Sequence, residues 1–286
     1  MIERIFMVGT GLLGASTGLA LRAHGFSGEI AGWDRDPGAL HTALERGALN
    51  SAATDPIAAA KEANLIVLAG PVLSILEWME RLAPVLAPHQ LLTDVGSTKQ
   101  QIAEAAARLY NQPSRAACLP GHPMAGKEVS GAQNADASLF QNAVWLFTPP
   151  DSWSPSPQAA AAAAEFRALI ESFGCPTMDM DARRHDELLA WVSHLPQFLS
   201  TALTALFEDE FGADADLRAI GGRAMREMTR LGSSPYSMWR DIALTNAEHV
   251  ERALLALERR IARLRQELRT PALENEFQRA NQFRST

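Results

Sequence analysis

The chain has 286 residues, of which 47% are hydrophobic and 21% are charged, and its formal net charge at pH 7 is −7. This balance is typical of a globular protein with one large or two ordinary domains. The acidic charge and the absence of a long basic run argue against nucleic-acid binding. No apolar run is long enough to span a membrane, so we expect no membrane partner. An anionic substrate would have to be held by a local cluster of arginines.

The N-terminus and the cysteines carry the expectations about cellular compartment. Residues 1–6 include Glu3 and Arg4 and lead directly into a strand pattern, which does not fit a signal peptide. Cys118 and Cys175 have neither the spacing of a disulfide framework nor that of a zinc site. We therefore expect reduced thiols, no metal ion and a cytoplasmic protein.

Strands and helices alternate in the first half of the chain. Short apolar runs predict four strands, in residues 4–8, 29–34, 65–70 and 90–97, and a helix is predicted over residues 12–24. Strands that alternate with helices indicate βαβ units around a buried parallel sheet.

The second half of the chain is helical in pattern. A loop rich in proline and serine occupies residues 149–158, and the run of six alanines at 159–164 predicts a helix. Residues 175–181 form the last candidate strand. Because only helical patterns follow residue 181, we place a domain boundary there.

The last long helical pattern carries a heptad seam. Its apolar residues recur with four-three spacing: Val250, Leu254, Leu257, Ile261, Leu264 and Leu268. Two interpretations are open, packing within one subunit and contact between subunits. The second would make the protein a homodimer that associates through its helical domain.

A GxGxxG motif lies between the first predicted strand and the first predicted helix. In a dinucleotide site, Gly9 makes the tight turn, Gly11 lets the backbone approach a pyrophosphate, and Gly14 allows close packing of helix and strand. The helix N-terminus offers free N–H groups and a positive dipole end to the phosphates. The cofactor-binding candidates in the motif are Gly9, Thr10, Gly11, Leu12, Leu13 and Gly14.

Asp34 stands twenty residues after Gly14, at the end of the second strand, where a ribose-binding acid is expected. Its carboxylate would accept hydrogen bonds from ribose hydroxyls and repel a 2′-phosphate, which favours NAD, while Arg35 leaves NADP open. Gly70 ends the third strand, Pro71 follows it, and both complete the predicted cofactor site. These features predict an α/β fold, with a Rossmann-type doubly wound, mostly parallel sheet in residues 1–180 and an all-α domain in residues 181–286.

Two further segments carry candidate catalytic residues. Ser97 ends the fourth strand and Lys99 follows it, where ligands bind in open parallel sheets, although a helix N-cap with a solvated lysine explains them equally well. His122 lies between Gly121 and Pro123, and the proline restricts it to extended backbone. That geometry suits a side chain directed into a cleft, with a structural histidine as the alternative.

Three sequence blocks downstream of the glycine motif carry a family resemblance. The first is GHPMAG with the following SG and LFQNAVWLFTP, the second is WVSHLPQFLSTAL, and the third is MTRLGSSPYSMWRDIALTN. Together they resemble the prephenate and arogenate dehydrogenases of tyrosine biosynthesis, over about residues 4–265. The resemblance implies oxidative decarboxylation of a cyclohexadienol, with hydride transfer to NAD or NADP.

The resemblance also implies roles for individual side chains. His122 would accept the proton of the substrate hydroxyl, and Ser97 would contact the same hydroxyl. Arg230 would bind a substrate carboxylate through two parallel hydrogen bonds. His194 would lie near the pyruvyl or alanyl end of the substrate, and a buried, hydrogen-bonded helix histidine is the alternative interpretation of its position. Trp239 is a candidate for a wall of the pocket, with a core residue as the alternative.

Lys127 departs from the family pattern, because relatives often carry threonine or serine at this position. An added cation there would favour the keto acid over the amino acid substrate. Arg223 and Arg226 precede Arg230 at helical spacing, so the three would share one face if the segment is helical. A solvated stripe paired with Glu227 is the alternative for the first two.

Two other functions are compatible with a nucleotide-binding domain followed by helices. One is a dehydrogenase of 3-hydroxy acids or imines, in which Lys99 would transfer the proton. The other is a regulator that binds NAD without turnover. Since the chain ends at Thr286, we expect no fused mutase or regulatory domain, and we expect any inhibition by tyrosine to be competitive.

Overall fold

A sheet of six parallel strands forms the centre of the first domain, in the order β3-β2-β1-β4-β5-β6. The computed structural model describes residues 1–110, 112, 114–151 and 153–285. The strands are β1 (Arg4–Val8), β2 (Glu29–Trp33), β3 (Ser51–Ala52), β4 (Leu65–Leu68), β5 (Leu91–Asp94) and β6 (Ala117–Leu119). The order reverses between β1 and β4, and such a switch point is where open α/β sheets bind ligands.

Helices cover both faces of this sheet. They are α1 (Leu12–Ala23), α2 (Pro37–Glu45), α3 (Pro56–Glu62), α4 (Val72–Leu82), α5 (Gln100–Leu109) and α6 (Pro157–Ser172). Successive residues of β1 point to opposite faces, so Ile5 and Met7 join the core under α1, α2 and α6, while Phe6 and Val8 join the core under α3, α4 and α5. The predicted doubly wound α/β fold is confirmed.

A smaller sheet extends the first domain beyond β6. Its strands are β7 (Gly121–Pro123), β8 (Trp145–Phe147) and β9 (Thr177–Asp179). β7 and β8 are antiparallel, whereas β8 and β9 are parallel. The predicted strand at residues 175–181 therefore exists in shortened form, but it belongs to this sheet and not to the main one.

Four strands were not predicted from the sequence: β3, β6, β7 and β8. Each has only two or three residues, too few for an alternating pattern to stand out from its surroundings. Pairing with a neighbouring strand selects these segments, and that pairing is not encoded locally.

The rest of the chain is helical, as predicted, and the described residues from 181 onward contain no strand. Its helices are α7 (Ala182–Leu189), α8 (Leu195–Phe211), α9 (Ala215–Ile220), α10 (Arg223–Thr229), α11 (Tyr236–Thr245), α12 (Ala247–Glu267) and α13 (Ala272–Ser285). A π-helical segment, Ala190–His194, joins α7 to α8. Pro196 lies in the first turn of α8, where its missing N–H is tolerated, so it neither ends nor interrupts that helix.

The helical domain packs against the carboxyl ends of the parallel strands. The backbone N–H of Leu73, in the first turn of α4, donates to Asp241 Oδ2 in α11 at 3.2 Å. The hydroxyls of Thr98 and Thr245 are hydrogen-bonded at 2.7 Å. The helical domain therefore covers the edge at which the sheet is expected to bind a ligand. Among the described residues, no helix has the length and apolar character needed to cross a membrane.

Candidate active site

The glycine turn after β1 packs closely against the loop that follows β4. Gly9 has φ +93°, a conformation that favours glycine, and its N–H donates to Trp33 O at 2.8 Å. A Cβ at Gly9 would collide with the carbonyl of Ala69, and a Cβ at Gly14 would collide with the carbonyl of Gly9. These two glycines are therefore required by close backbone approach.

The start of α1 fits the pyrophosphate of a dinucleotide. A Cβ built on Gly11 would meet no atom within 4 Å, so this side of the turn is open. The helix begins at Leu12, and its N-cap residue Gly11 makes no side-chain capping hydrogen bond. The first amides of the helix, including that of Leu13, are thus free for an anionic ligand.

Asp34 is fixed at the end of β2 by backbone donors. Its Oδ2 accepts the N–H of Thr10 at 2.6 Å, and its Oδ1 accepts the N–H of Asp36 at 2.8 Å. The residue is half-buried beside the glycine turn, in the position expected of a ribose-binding acid, while Arg35 is exposed. Gly70 lies in the loop after β4 that packs on the glycine turn, and Pro71 caps α4.

A buried ion pair holds β7 against the end of β5. Lys99 has 0% of its surface exposed, and its ammonium pairs with Asp94. Lys99 Nζ also donates to the carbonyl of Gly121 at 2.7 Å, and the N–H of Gly121 donates to Asp94 Oδ1 at 3.1 Å. The ammonium is therefore committed to positioning the strand that carries His122. This geometry argues against the alternative in which Lys99 transfers a proton.

His122 lies in the middle of β7 with extended backbone, and its ring contacts a second histidine. Its Nδ1 is 2.9 Å from Nε2 of His185 in α7, and Nδ1 of His185 is 2.8 Å from Oδ1 of Asp186. No described residue supplies a hydrogen-bond partner for Nε2 of His122, and that atom is not among the fully buried unpaired atoms. The ring therefore presents one open nitrogen at the carboxyl edge of the sheet.

Burial keeps this histidine cluster neutral at physiological pH. Burial, then the rings and charges of His185, Lys99 and His194, lower the pKa of His122 well below the ordinary value of 6.5. Burial is also the main cause that lowers the pKa of His194 to about 4. His122 is thus an unprotonated imidazole near pH 7, as a proton acceptor must be.

The aromatic candidates His194 and Trp239 lie beside the same cluster. Nδ1 of His194 is 3.2 Å from the amide nitrogen of Asn246, and its ring meets that of Trp239 edge to face at 5.9 Å between centroids. Nε1 of Trp239 is buried, and no described residue accepts a hydrogen bond from it. Ser97 is half-buried in the turn after β5.

Arg230 reaches the loop that follows β7. Its guanidinium pairs with Glu128, six residues after His122 in the sequence. α10 ends at Thr229, and Arg230 begins a 3₁₀ turn, Arg230–Ser233. The condition under which the three arginines would share one face, a single helix through the segment, therefore holds only as far as Thr229.

The other two basic residues of that segment have local partners. Arg223 Nε donates to Glu227 at 2.6 Å, and Arg226 donates to the carbonyl of Gly221 at 3.0 Å. Both are exposed. They match the alternative of a solvated basic stripe.

Lys127 is directed toward the 3₁₀ turn Ala132–Asn134. Its ammonium lies 3.3 Å from Asp136 Oδ2 and donates to the carbonyl of Asn134 at 3.2 Å. The hydrogen bonds of Ser138 and the Lys127 ammonium together lower the pKa of Asp136 to about 2. The positive charge of the Lys127 ammonium is thus partly neutralised by Asp136.

Sequence reasoning missed His185, Asp186 and Glu128. The first two occupy buried positions of α7 next to Leu189, and a His-Asp pair on the core-facing side of a short amphipathic helix was the available signal. Glu128 carries no such signal, because only the tertiary contact with Arg230 distinguishes it from other acidic loop residues.

Comparisons with known proteins show the family of this chain. The family model of the prephenate dehydrogenase nucleotide-binding domain matches residues 17–170, and that of the prephenate dehydrogenase dimerization domain matches residues 181–282. The chain belongs to the prephenate dehydrogenase family. Among relatives with this name, the Bacillus subtilis protein is 31% identical over 87% of this chain. The chain spans 66% of that protein's length, slightly less than two thirds.

Solved structures in the family have the same fold. The structure of prephenate dehydrogenase from A. aeolicus, in complex with hydroxyphenyl propionate and NAD⁺, matches 100% of this chain and 98% of its own, with a TM-score of 0.87 and 25% identity. The Synechocystis arogenate dehydrogenase matches 99% of each chain, with a TM-score of 0.75 and 28% identity. The predicted family resemblance is therefore confirmed. The first family match begins after the glycine turn, so the interpretation of Gly9–Gly14 depends on the structural observations above.

Proposed function

We propose that this chain catalyses the oxidative decarboxylation of prephenate or arogenate with NAD as the oxidant. Hydride leaves the hydroxyl-bearing ring carbon as the hydroxyl proton goes to the protein. CO₂ leaves the opposite carbon, the electron pair of the broken bond makes the ring aromatic, and the proton returns to the phenolate oxygen. The product is 4-hydroxyphenylpyruvate or tyrosine. The observation that carries this proposal is the neutral ring of His122, which presents an open nitrogen at the sheet edge beside a nucleotide-binding turn.

The first domain has the features needed to hold the dinucleotide. The open side of the turn at Gly11 and the uncapped start of α1 fit a pyrophosphate, and Asp34 fits the ribose hydroxyls. Bound NAD would supply the hydride acceptor. The carboxylate of Asp34 disfavours a 2′-phosphate, so we propose a preference for NAD over NADP, although the exposed Arg35 is available to a phosphate.

Each polar group around His122 has a role in this reaction. Nε2 of His122 accepts the hydroxyl proton as the carbonyl develops, and general-base assistance of this kind is worth about 10²–10⁴-fold in rate. Ser97 contacts the same hydroxyl. Arg230 binds a carboxylate of the substrate, for which it exchanges its present partner Glu128. His194 and the unpaired Nε1 of Trp239 contact the side chain at the other end.

The choice between the two substrates is assigned to the loop after β7. Lys127 adds a cation within that loop, and we propose that it favours the keto acid, whose side chain lacks the ammonium group of arogenate. Its pairing with Asp136 moderates this effect. Lys127→Thr should therefore shift the ratio of kcat/KM values toward arogenate. An unchanged ratio would remove Lys127 from the specificity argument.

A homodimer through the helical domain is supported by an uncovered apolar surface. Val250 of the heptad seam is buried, but Leu254, Ile261 and Leu268 are 37%, 50% and 63% exposed. The seam borders a groove of about 680 Å³ between α8, α11 and α12, and Phe198 contributes to its lining. A second copy of the same surface would cover these residues. We further propose a cytoplasmic enzyme with its domain boundary near residue 180.

One assay tests the proposed function. Each of the two substrates is combined with each of NAD and NADP, and the formation of reduced nicotinamide is followed by absorbance. We expect turnover with at least one substrate and a higher kcat/KM with NAD. Binding of NAD without turnover of either substrate would contradict the proposal and favour the non-catalytic regulator.

A further inference from the structure

Two buried residues behind His122 have no part in the reaction described so far. His185 and Asp186 are neighbours in α7, with exposed fractions of 0% and 1%. They extend the line of hydrogen bonds from Nδ1 of His122, with separations of 2.9 Å between the two rings and 2.8 Å between His185 and the carboxylate. Buried polar chains are stable only when each member is satisfied. The direction of every hydrogen bond can therefore be worked out from the carboxylate end.

The carboxylate of Asp186 can only accept hydrogen bonds. Its Oδ1 accepts the N–H of Lys99 at 2.7 Å, and its Oδ2 accepts the N–H of Gln100 at 2.9 Å. These amides open α5, which has no side-chain cap from its own N-cap residue. Asp186 thus caps a helix of the other domain and lies at the positive end of its dipole. Nδ1 of His185 must be the donor in its contact with Asp186.

The proton on His185 determines the proton on His122. A neutral imidazole has one N–H, and burial lowers the pKa of His185 although Asp186 opposes this effect. With its N–H at Nδ1, His185 offers Nε2 as an acceptor. Nδ1 of His122 must then be a donor, which leaves the lone pair of His122 on Nε2. That nitrogen is the one left open.

We propose that His185 and Asp186 are positioning residues that hold His122 in the tautomer with an unprotonated Nε2. This inference rests on the proposed function, in which Nε2 takes the hydroxyl proton. The opposite tautomer would present an N–H to the hydroxyl and could not act as a base. After proton transfer, the imidazolium keeps its Nδ1–H bonded to His185, and the negative charge of Asp186 stabilises it through the second ring.

The surrounding charges are compatible with this arrangement. The ammonium of Lys99 is neutralised by Asp94, and among the described residues the ring of His194 is the other titratable group that acts on the line. His122 belongs to the first domain, whereas His185 and Asp186 belong to the helical domain. The general base is therefore set in its active tautomer by packing between the two domains.

Nitrogen NMR on histidine-labelled protein tests the tautomer directly and requires no substrate. The chain has seven histidines, and the signals of His122 are assigned by their loss in His122→Asn. We expect Nδ1 of His122 in the protonated range and Nε2 in the unprotonated range near pH 7. The opposite assignment in the wild-type protein would overturn the proposal whether or not either substrate is turned over.

Kinetics of His185 variants supply the second test. His185→Phe keeps a ring but removes the acceptor, so we expect kcat to fall about 10- to 100-fold, the effect of losing one hydrogen bond to a charged group, while KM stays within about twofold. His185→Gln provides an amide oxygen that can accept the same N–H and should recover part of the loss. His24→Phe is the control, because the ring of His24 contacts the carbonyl of Ala20 and the ring of Phe173, neither of which belongs to the cluster around His122. Equal kcat for wild type and His185→Phe would contradict the inference. A His185→Gln variant that keeps full activity while its His122 populates both tautomers would contradict it as well.

Discussion

The glycine turn and the strand that carries His122 lie at the same edge of the sheet, but different kinds of contact hold them. The turn is fixed by backbone: Gly9 and Gly14 approach carbonyl groups where no side chain fits, and the residues involved are close in sequence or on adjacent strands. β7 pairs with β8 through its backbone, but its contacts with the end of β5 and with α7 are made by side chains, through Lys99 and Asp94 on one side and His185 on the other.

This difference explains which chemistry each part can perform. A turn made of backbone amides binds phosphate through fixed dipoles and needs no particular protonation state. A base must have the right pKa and the right tautomer, and both require neighbouring side chains. In this molecule those neighbours include residues of the second domain, 63 positions away from His122.

Replacing the general base, which lies on β7, should cause the largest loss of activity. We expect His122→Asn to lower kcat about 10²–10⁴-fold, because general-base assistance is lost, with little change in NAD affinity, because the cofactor contacts lie in the turn. Steady-state kinetics and a fluorescence titration with NAD measure the two quantities. If both fell together, the separation of the two regions would be wrong.

Removing the buried support of β7 should reduce stability. Lys99→Met leaves the carboxylate of Asp94 buried without its partner, which costs about 3–5 kcal/mol of unfolding free energy. Lys61→Met is the matched control, because Lys61 is exposed on α3 and its loss should change stability by under about 0.5 kcal/mol. Urea denaturation compares the two. Full stability with lost activity in Lys99→Met would instead revive the alternative in which this lysine transfers the proton.

Arg230 forms an exposed ion pair with Glu128, and in the proposed function a substrate carboxylate replaces Glu128 as its partner. Arg230→Lys keeps the charge but loses the two-pronged contact with a carboxylate, so we expect KM to rise about 10- to 100-fold. Arg223→Lys is the control, because Arg223 is exposed and paired with Glu227 one turn away. KM for the substrate is measured at saturating NAD. A similar KM for both variants would exclude Arg230 as the carboxylate clamp.

Two alanine substitutions sharpen the argument for the glycine turn. Gly14→Ala places a Cβ against the carbonyl of Gly9 and should cost about 1–3 kcal/mol of stability. Gly11→Ala meets no protein atom, so its stability should be unchanged, but its methyl group would occupy the space proposed for the pyrophosphate and weaken NAD binding. Thermal denaturation with and without NAD distinguishes them. Unchanged NAD affinity in Gly11→Ala would mean that the dinucleotide does not approach this turn.

The contrast between the backbone contacts of the glycine turn and the side-chain contacts around His122 also explains what could be predicted from the sequence. The spacing from Gly9 to Asp34 predicts a βαβ unit and its ligand because those contacts are local, and the predicted β1 and its following helix agree with the structure to within one residue. The tripeptide around His122 predicts extended backbone for the same reason. The pairing of His122 with His185 depends on how two domains pack, and short strands such as β3 depend on their neighbours. Neither is encoded in a local pattern.

The smallest effect that we expect is the dependence of kcat/KM on pH between 6.5 and 8. Burial and the charges around His122 lower its pKa well below 6.5. The neutral ring is the active form, so a lowered pKa extends activity toward acid, and protonation reduces kcat/KM only as the pH falls through that pKa. Because a group is half protonated at its pKa, titration of His122 should change kcat/KM by less than about twofold across this range.

A profile of kcat/KM against pH measures this dependence. His185→Phe tests its origin, since that variant removes one of the neighbours that lower the pKa of His122. An acid limb centred above pH 6.5 in the wild-type protein would mean that His122 is solvated, and the contrast between a backbone turn and a buried side-chain cluster would then fail at its central residue.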